Sequence, residues 1–368
     1  MDRRSFLKAG ALLPAAAAPG FSLAQQLPFQ PKQAQHWRMF EVTTRVDVLV
    51  PGGTTKVWLP VPSVNSGYQK VVDNAWSGNA HEAKIVRDGK YGANMLYAEW
   101  PDSENKPYVE LHSRFATRDR AVDFGSRLTR TTDRLGPEER QVYTAPTEHI
   151  PLDGIVLETA REVTKGTKTD YEKAKAIYDW IVDNTFRDPK VRGCGTGDIK
   201  AMLETGNLGG KCADLNALYV GLARASGLPA RDVYGVRVAK SQFGYRSLGA
   251  GTENITRAQH CRAEVYLEAY GWVPVDPADV RKVVLEEPPG NLAMNDPKVV
   301  AARKRLFGGW EMNYLAYNMG HDVHLPHATR ATKLPYLMYT NAEADGEMRD
   351  QLDPESLKYA ITAREIRA

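Results

Sequence analysis

Cysteine is nearly absent from this sequence: three residues in a chain of 368, too few to staple a fold of that length with disulfides. Neither sign of charge dominates. Forty-eight Lys and Arg stand against 45 Asp and Glu, a net of +3, and no long basic stripe offers a footprint for nucleic acid. The glycines of Gly193-Cys194-Gly195-Thr196-Gly197 lack the Gly-Lys-Ser/Thr that would close a phosphate-binding loop onto a helix. What is present is a 42% hydrophobic, 25% charged chain, the make-up of a soluble globular protein and not of a fibrous or disordered one. Its length exceeds the ~100–200 residues of one domain, so two domains with an appended C-terminal region are expected.

The N-terminus reads as an address. Arg3-Arg4-Ser5-Phe6-Leu7-Lys8 precedes an uncharged run, residues 9–24, that ends in Ser22-Leu23-Ala24. Those 16 residues fall short of the ~20 a membrane-spanning helix needs, and Pro14 and Pro19 interrupt them. The pattern resembles a twin-arginine export signal, residues 1–24, cleaved after Ala24. The protein is then expected to be periplasmic or secreted, with no stable membrane insertion after cleavage.

Residues 25–120 read as strands and are expected to form an N-terminal β-sandwich domain. Phe40, Val42, Thr44, Val46, Val48 and Val50 alternate with more polar residues, the two-residue period of a half-buried strand. Pro51-Gly52-Gly53 signals a turn into a return strand from Lys56, and Asp88-Gly89 divides a further hairpin. Residues 121–150, charged and proline-containing, are expected to be a linker with room for one short helix.

After Pro151 the period changes. Ala174, Ile177, Tyr178 and Ile181 share a helical face behind Asp170, an N-cap candidate. Leu215, Leu218, Tyr219 and Leu222 keep helical spacing from Cys212 onward, and Gly227 and Pro229 stop the run. Cys212 therefore opens a helix, where unpaired N–H groups favour a thiolate. The dipole supplies up to ~2 kcal/mol of the roughly 4 needed to bring a thiol down by about three pKa units, so a second positive partner is required. His260 is that candidate. In a strand from Gln259 to Leu267 it shares a polar face with Arg262, Glu264 and Tyr266, while Cys261, Ala263, Val265 and Leu267 face a core. Arg262 and Glu264 either pair on that face or read substrate. The return strand Trp272-Val273-Pro274-Val275 ends at Asp276, which would orient the imidazole. Simple hairpin counting puts His260 nearer Asp279, so either a bulge at Pro274 brings Asp276 back or Asp279 is the partner. Asp214, in the first helical turn, is expected to be structural.

Gly-x-Cys-x-Asp opening a helix, then His-x-x-x-Glu-x-Tyr-Leu, then Gly-Trp-Val-Pro-Val-Asp-Pro resembles the transglutaminase-like superfamily of papain-related cysteine enzymes. The resemblance covers residues 155–285. Trp58-Leu59-Pro60-Val61-Pro62 is also similar to the domain preceding the core in bacterial members. The resemblance implies an α+β fold: a papain-like core over residues 151–285, with a helix-borne cysteine packed on an antiparallel sheet, behind the sandwich. It implies Cys212 as nucleophile, His260 as general base and acid, and Asp276 as the residue orienting it, with no cofactor and no metal. One departure is Arg262, where the family often has Trp, which bears on a substrate subsite.

The implied activity is acyl transfer through a thioester on a peptide or protein carboxamide, by an exported cysteine acyltransferase or amide hydrolase. Hydrolysis is favoured over crosslinking because water is the default acceptor. One oxyanion donor is the Cys212 N–H, and a side-chain donor is sought among Gln259, Asn207 and Trp180. The competing reading is a catalytically silent peptide- or protein-binding module.

Cys194 and Cys261 are left as a candidate disulfide if Cys212 stays free. His321, His324 and His327 fall three apart, but Pro326 interrupts the helix that would align them, and no zinc motif is present, which favours a surface or cleft-rim loop. Trp310, Tyr314 and Tyr317 have helical spacing and are expected to pack residues 286–368 on the core as a C-terminal extension. Residues 338–341 and 359–362 are candidates for a closing strand pair.

Overall fold

Alternation in the sequence builds the first strand. In the computed structural model, which describes residues 36–125 and 134–366, β1 (Arg38–Asp47) buries Phe40, Val42, Thr44 and Val46 and leaves the residues between them half-exposed. The expected export signal lies outside the described residues. β2 (Thr55–Val61), β3 (Gln69–Gly78), β4 (Glu82–Arg87), β5 (Asn94–Trp100), β6 (Tyr108–Thr117) and the short β7 (Arg120–Ala121) follow. Next come α1 (Pro137–Thr144), α2 (Gly154–Val163), α3 (Asp170–Asn184), β8 (Phe186–Arg187), α4 (Ile199–Thr205), β9 (Gly209–Gly210) and α5 (Cys212–Ala225). β10 (Ala230–Arg237), β11 (Gln259–Leu267), β12 (Gly271–Val275), α6 (Pro277–Glu286) and α7 (Pro297–Arg305) complete the segment around the candidate site. The chain ends with β13 (Gly309–Trp310), β14 (Tyr314–Asn318), β15 (His321–His324), β16 (Lys333–Tyr336), β17 (Asn341–Ala344), β18 (Glu347–Met348) and β19 (Lys358–Ile366).

Two antiparallel sheets, ordered β19-β1-β6-β3 and β18-β17-β2-β5-β4, face each other across a core of Val46 and Leu111 against Leu59, Leu96 and Trp100. Burying each such side chain is worth about 1.5–3 kcal/mol. β1 and β2 do not form the hairpin the sequence predicts: the turn after β1 carries the chain across to the opposite sheet. β4 and β5 do pair as a hairpin. The C-terminal strands complete this sandwich. β19 pairs with β1 along nine residues, and β17 pairs with β2, so the candidate strand pair near 338–341 and 359–362 is divided between the two sheets. The stretch after residue 286 thus serves two bodies, because unpaired edges of both sandwich sheets were waiting for strands.

The second body is a sheet ordered β12-β11-β10-β14 with helices on one face. α5 is buried from Cys212 to Arg224, all round and not along one stripe, since α2, α3, α4 and α6 surround it against the sheet. α3 buries Ala174, Ile177, Tyr178 and Ile181 as its spacing predicts, but Thr169 caps it, in a capping box with Glu172, and Asp170 is the first helical residue. Further along the same sheet, Val236, Leu315 and Tyr317 lie on Phe40, Phe115 and Ile361 of the sandwich. Trp310, Tyr314 and Tyr317 are correspondingly in or beside strands: helical spacing misleads here because β13 and β14 are short and buried on both sides. β15 and β16 form a hairpin in place of the expected loop.

Candidate functional site

Gly210 and Gly195 let the start of α5 close on its neighbours. A Cβ on either would overlap the side chain of Asp214, whose Oδ1 accepts the N–H groups of Thr196 (3.0 Å) and Gly197 (2.9 Å) while Oδ2 accepts that of Lys211 (2.9 Å). Asp214 is therefore the structural residue its position suggests, and it does more than answer the dipole: it clips the loop carrying Cys194 to the helix tip. The Ala213 N–H donates to the carbonyl of Cys194 at 2.9 Å. As the first residue of α5, Cys212 has an N–H with no acceptor inside the helix.

His260 stands on β11, opposite Gly235 of β10. Its Nε2 donates to Asp276 Oδ2 at 2.8 Å and lies 3.4 Å from Asp279 Oδ1. The β11–β12 register is regular, with Ala263 opposite Val275, so no bulge at Pro274 is involved. Asp276 instead leaves the strand as the N-cap of α6, accepting the Asp279 N–H at 3.0 Å, and the first turn of that helix folds both carboxylates back onto the imidazole. Arg237 then holds Asp279 by two bonds of 2.6 and 2.7 Å and the Leu248 carbonyl at 2.8 Å. Asn216, one turn after Cys212, donates to the Cys261 carbonyl (2.8 Å) and to Asp276 Oδ1 (3.2 Å), tying the helix to strand and acid together. The Tyr314 hydroxyl lies 2.9 Å from the carbonyl oxygens of both Val233 and His260.

The electrostatics follow from these contacts. The neighbouring thiols of Cys194 and Cys261 and the imidazole of His260 hold the Cys212 thiol well below its ordinary value, against the effect of burial. Burial and Arg237 push His260 down, but Asp279 and Asp276 outweigh them and raise it to about 9. Asp279, despite burial, lies well below the usual carboxylate range because Arg237 and His260 face it. Burial and then Asp279 raise Asp276. Both shifts favour the charged forms, thiolate on Cys212 and imidazolium on His260. Both groups are well covered, Cys212 at 4% and His260 at 3% exposure.

Cys194 and Cys261 both gather at Cys212, and all three cysteines are free thiols, so the candidate disulfide is not formed. Arg262 and Glu264 occupy no open cleft face. Arg262 is buried over the rings of Tyr314 (4.4 Å) and Trp310 (5.2 Å), 3.8 Å from Asp276 Oδ2, where it backs the acid. Glu264 is buried between Arg120 of β7 and Arg231 of β10 and does not pair with Arg262. On this face of the sheet Glu264 joins Arg120 and Arg231 in a buried cluster of ion pairs.

Of the three side chains considered for the oxyanion, Asn207 is turned onto its own backbone, Oδ1 accepting from Gly209 N–H. Gln259 sits beside His260 with its Nε2 buried and without an acceptor at hydrogen-bond distance. Trp180 lies half-buried on α3. His321 faces Asp232 at 3.3 Å while His327 stacks on Tyr97 at 4.8 Å, so the three histidines diverge. The donors that do converge, among the described residues, are His260, Asp276 and Asp279. Arg237 already occupies Asp279 with a buried positive charge, a poor setting for a cation.

The sequence reading reached Cys212, His260 and both aspartates. Asn216 and Arg237 had no expected role, and Tyr314 only that of packing the C-terminal extension on the core. Asn216 was legible in principle, four residues after Cys212 and hence on the same helical face. Arg237 and Tyr314 reach the site only through sheet pairing that no local pattern reveals.

The family model described as the transglutaminase-like superfamily matches residues 157–277, a span that includes Cys212, His260 and Asp276. An uncharacterized protein of Haemophilus influenzae is 36% identical over 342 residues, covering 89% of this chain and 92% of the relative. Among solved structures, a candidate cysteine protease from Cytophaga hutchinsonii superposes with a TM-score of 0.50 at 14% identity, covering 89% of this chain and 98% of its own, a likeness of fold. The periplasmic domain of TgpA from Pseudomonas aeruginosa aligns more loosely, with a TM-score of 0.32 at 14% identity over 67% of this chain and 88% of that domain.

Proposed function

The chain belongs to the transglutaminase-like superfamily, and on that footing we propose that it is a cysteine acyl-transfer enzyme with Cys212 as nucleophile, His260 as acid and base, and Asp276 as the group that orients His260. The observation that carries this reading is the charge pattern around one helix tip: a thiol held low beside an imidazole held high, the latter bonded to Asp276 at 2.8 Å.

The Cys212 thiolate attacks the carbonyl carbon of a peptide or protein amide, and the oxygen takes up the charge facing the Cys212 N–H. The imidazolium of His260 gives its proton to the departing ammonia or amine as the C–N bond breaks, leaving a thioester. A water molecule then gives a proton to His260 and its hydroxide to the acyl carbon, and the thiolate leaves. An amine in place of that water completes a transamidation. Hydrolysis is preferred because no amine-binding residue stands out around the thiol. Arg3-Arg4 and the uncharged run behind it support action outside the cytoplasmic membrane. Among the described residues no helix is long and apolar enough to cross a membrane.

The competing reading, a silent binding module, draws on the 4% exposure of Cys212, which leaves little room for a carbonyl group to approach. Labelling separates the two. At neutral pH an iodoacetamide-type electrophile should modify Cys212 stoichiometrically and faster than a free thiol, and His260→Ala should abolish the advantage. A Cys212 no more reactive than a free thiol would favour the binding module.

A further inference from the structure

Every cysteine of the chain ends at one spot, though they come from three places: Cys194 from the loop between β8 and α4, Cys212 from the tip of α5, and Cys261 from β11. Resting on the reading of Cys212 as nucleophile, we propose that Cys194 is its disulfide partner, and that a hydroperoxide converts the pair reversibly into a Cys194–Cys212 bridge that silences the site.

Geometry singles out Cys194. Its carbonyl accepts the Ala213 N–H at 2.9 Å, and with standard bond lengths that brings the α-carbons of residues 194 and 212 to about 5–7 Å, the range a disulfide spans. The loop is held there, since Asp214 takes the N–H groups of Thr196 and Gly197 and the Tyr336 hydroxyl donates to the Gly195 carbonyl at 2.5 Å. Positive φ at Gly193 (57°) and Gly195 (95°) shapes the backbone on both sides of Cys194. Cys261 is less free to join. It lies within β11, opposite Tyr234 of β10 and with its carbonyl taken by Asn216, and its thiol donates to Met338 Sδ at 3.9 Å in the apolar core. Contact with Cys212 raises the Cys194 thiol as it lowers Cys212, so Cys194 holds the proton and Cys212 the charge.

The chemistry balances. The Cys212 thiolate attacks one peroxide oxygen, the O–O bond breaks, and hydroxide leaves a sulfenic acid behind. The sulfur of Cys194 then attacks the sulfenic sulfur; its proton goes to the departing hydroxide, which leaves as water. Two electrons pass from the sulfur pair to the peroxide, and a dithiol returns them.

The test treats the reduced full chain with a small excess of hydrogen peroxide and reads intact mass, mapped peptides and iodoacetamide labelling. Expected are the loss of two hydrogen atoms, a Cys194–Cys212 peptide pair, and labelling that disappears and returns with a dithiol. Under the same treatment Cys194→Ser should gain two oxygen atoms at Cys212 that the dithiol does not remove, and Cys261→Ala should still form the bridge, with circular dichroism showing that each variant is folded. Wild-type protein that gains two oxygen atoms, or a bridge through Cys261, overturns the proposal. Reduced wild-type protein that labels at Cys212 yet never bridges sinks this inference alone. Reduced protein that does not label sinks the nucleophile reading and the bridge with it.

Discussion

Asp276 meets His260 from beyond the end of its own strand: Oδ2 stands 2.8 Å from Nε2, although continued hairpin register would set His260 opposite Ala278. A helix advances 1.5 Å per residue where a strand advances about 3.3 Å, so starting α6 at Pro277 keeps residues 276 to 279 within reach of one imidazole. Two carboxylates then compete for one proton donor, and Arg237 divides their work by taking Asp279.

That division predicts opposite phenotypes. Asp276→Asn should lower turnover, or the rate of electrophile labelling, by about a hundredfold while leaving the melting temperature within a few degrees. Asp279→Asn leaves the Arg237 guanidinium buried without its charge partner, and should cost about 3–5 kcal/mol of stability. Thermal unfolding and labelling rates measured on both variants decide; equal effects on both readouts would show that the two acids are interchangeable.

The same site sets a pH window. His260 has its value raised to about 9, so its charged form contributes stability fully below the unfolded value near 6.5, and that contribution is lost as pH rises through 9. Cys212 is held well below its ordinary value, so its charged form is favoured beside that imidazole. Labelling should therefore stay high across neutral pH, whereas turnover, which needs the imidazolium to release the amine, should turn down near pH 9. In His260→Ala the alkaline limb should vanish and the thiol should titrate higher than in the wild type, as read by thiolate absorbance.

How much of this was legible depended on sequence distance. The helix from Cys212, the alternation of β11 and the hairpin to Asp276 are each local patterns, and the three residues they present come together. The polar face of β11 was misjudged for a physical reason: Arg262 and Glu264 look like cleft residues until Arg120, Arg231 and Trp310 arrive from other segments to neutralise and cover them. Trp310, Tyr314 and Tyr317 follow a helical period by coincidence of two short strands, and periodicity cannot separate the two when both faces are buried. Cys194 and Cys261 looked like a pair apart from Cys212, since nothing in their spacing tells which turn of chain reaches a helix tip.

Asn216 makes a separate prediction. Its amide nitrogen bonds the Cys261 carbonyl and Asp276 Oδ1 at once, both in the buried interior. Asn216→Leu would take a donor from both, leaving Asp276 Oδ1 with the Asp279 N–H alone, and should cost roughly 1–3 kcal/mol. Because one of the two is the acid that orients His260, labelling of Cys212 should slow as well. A variant that loses stability but labels at the wild-type rate would show that Asn216 braces the core without positioning Asp276.

The clip at the helix tip can be tested by a double substitution. Gly195 sits at φ +95°, and a Cβ there would overlap the Asp214 carboxylate, so Gly195→Ala must strain the backbone and also displace the acceptor of Thr196, Gly197 and Lys211. The expected cost is roughly 2–4 kcal/mol, read as a fall in melting temperature with slower Cys212 labelling, because the freed Lys211 adjoins the nucleophile. Asp214→Gly removes the same acceptor by another route. If the overlap is the main cause, Gly195→Ala should cost less in the Asp214→Gly background than alone, a coupling above about 0.5 kcal/mol in a double-mutant cycle. Additive losses would instead assign the whole effect to backbone strain at residue 195 and leave Asp214 as an ordinary first-turn acid.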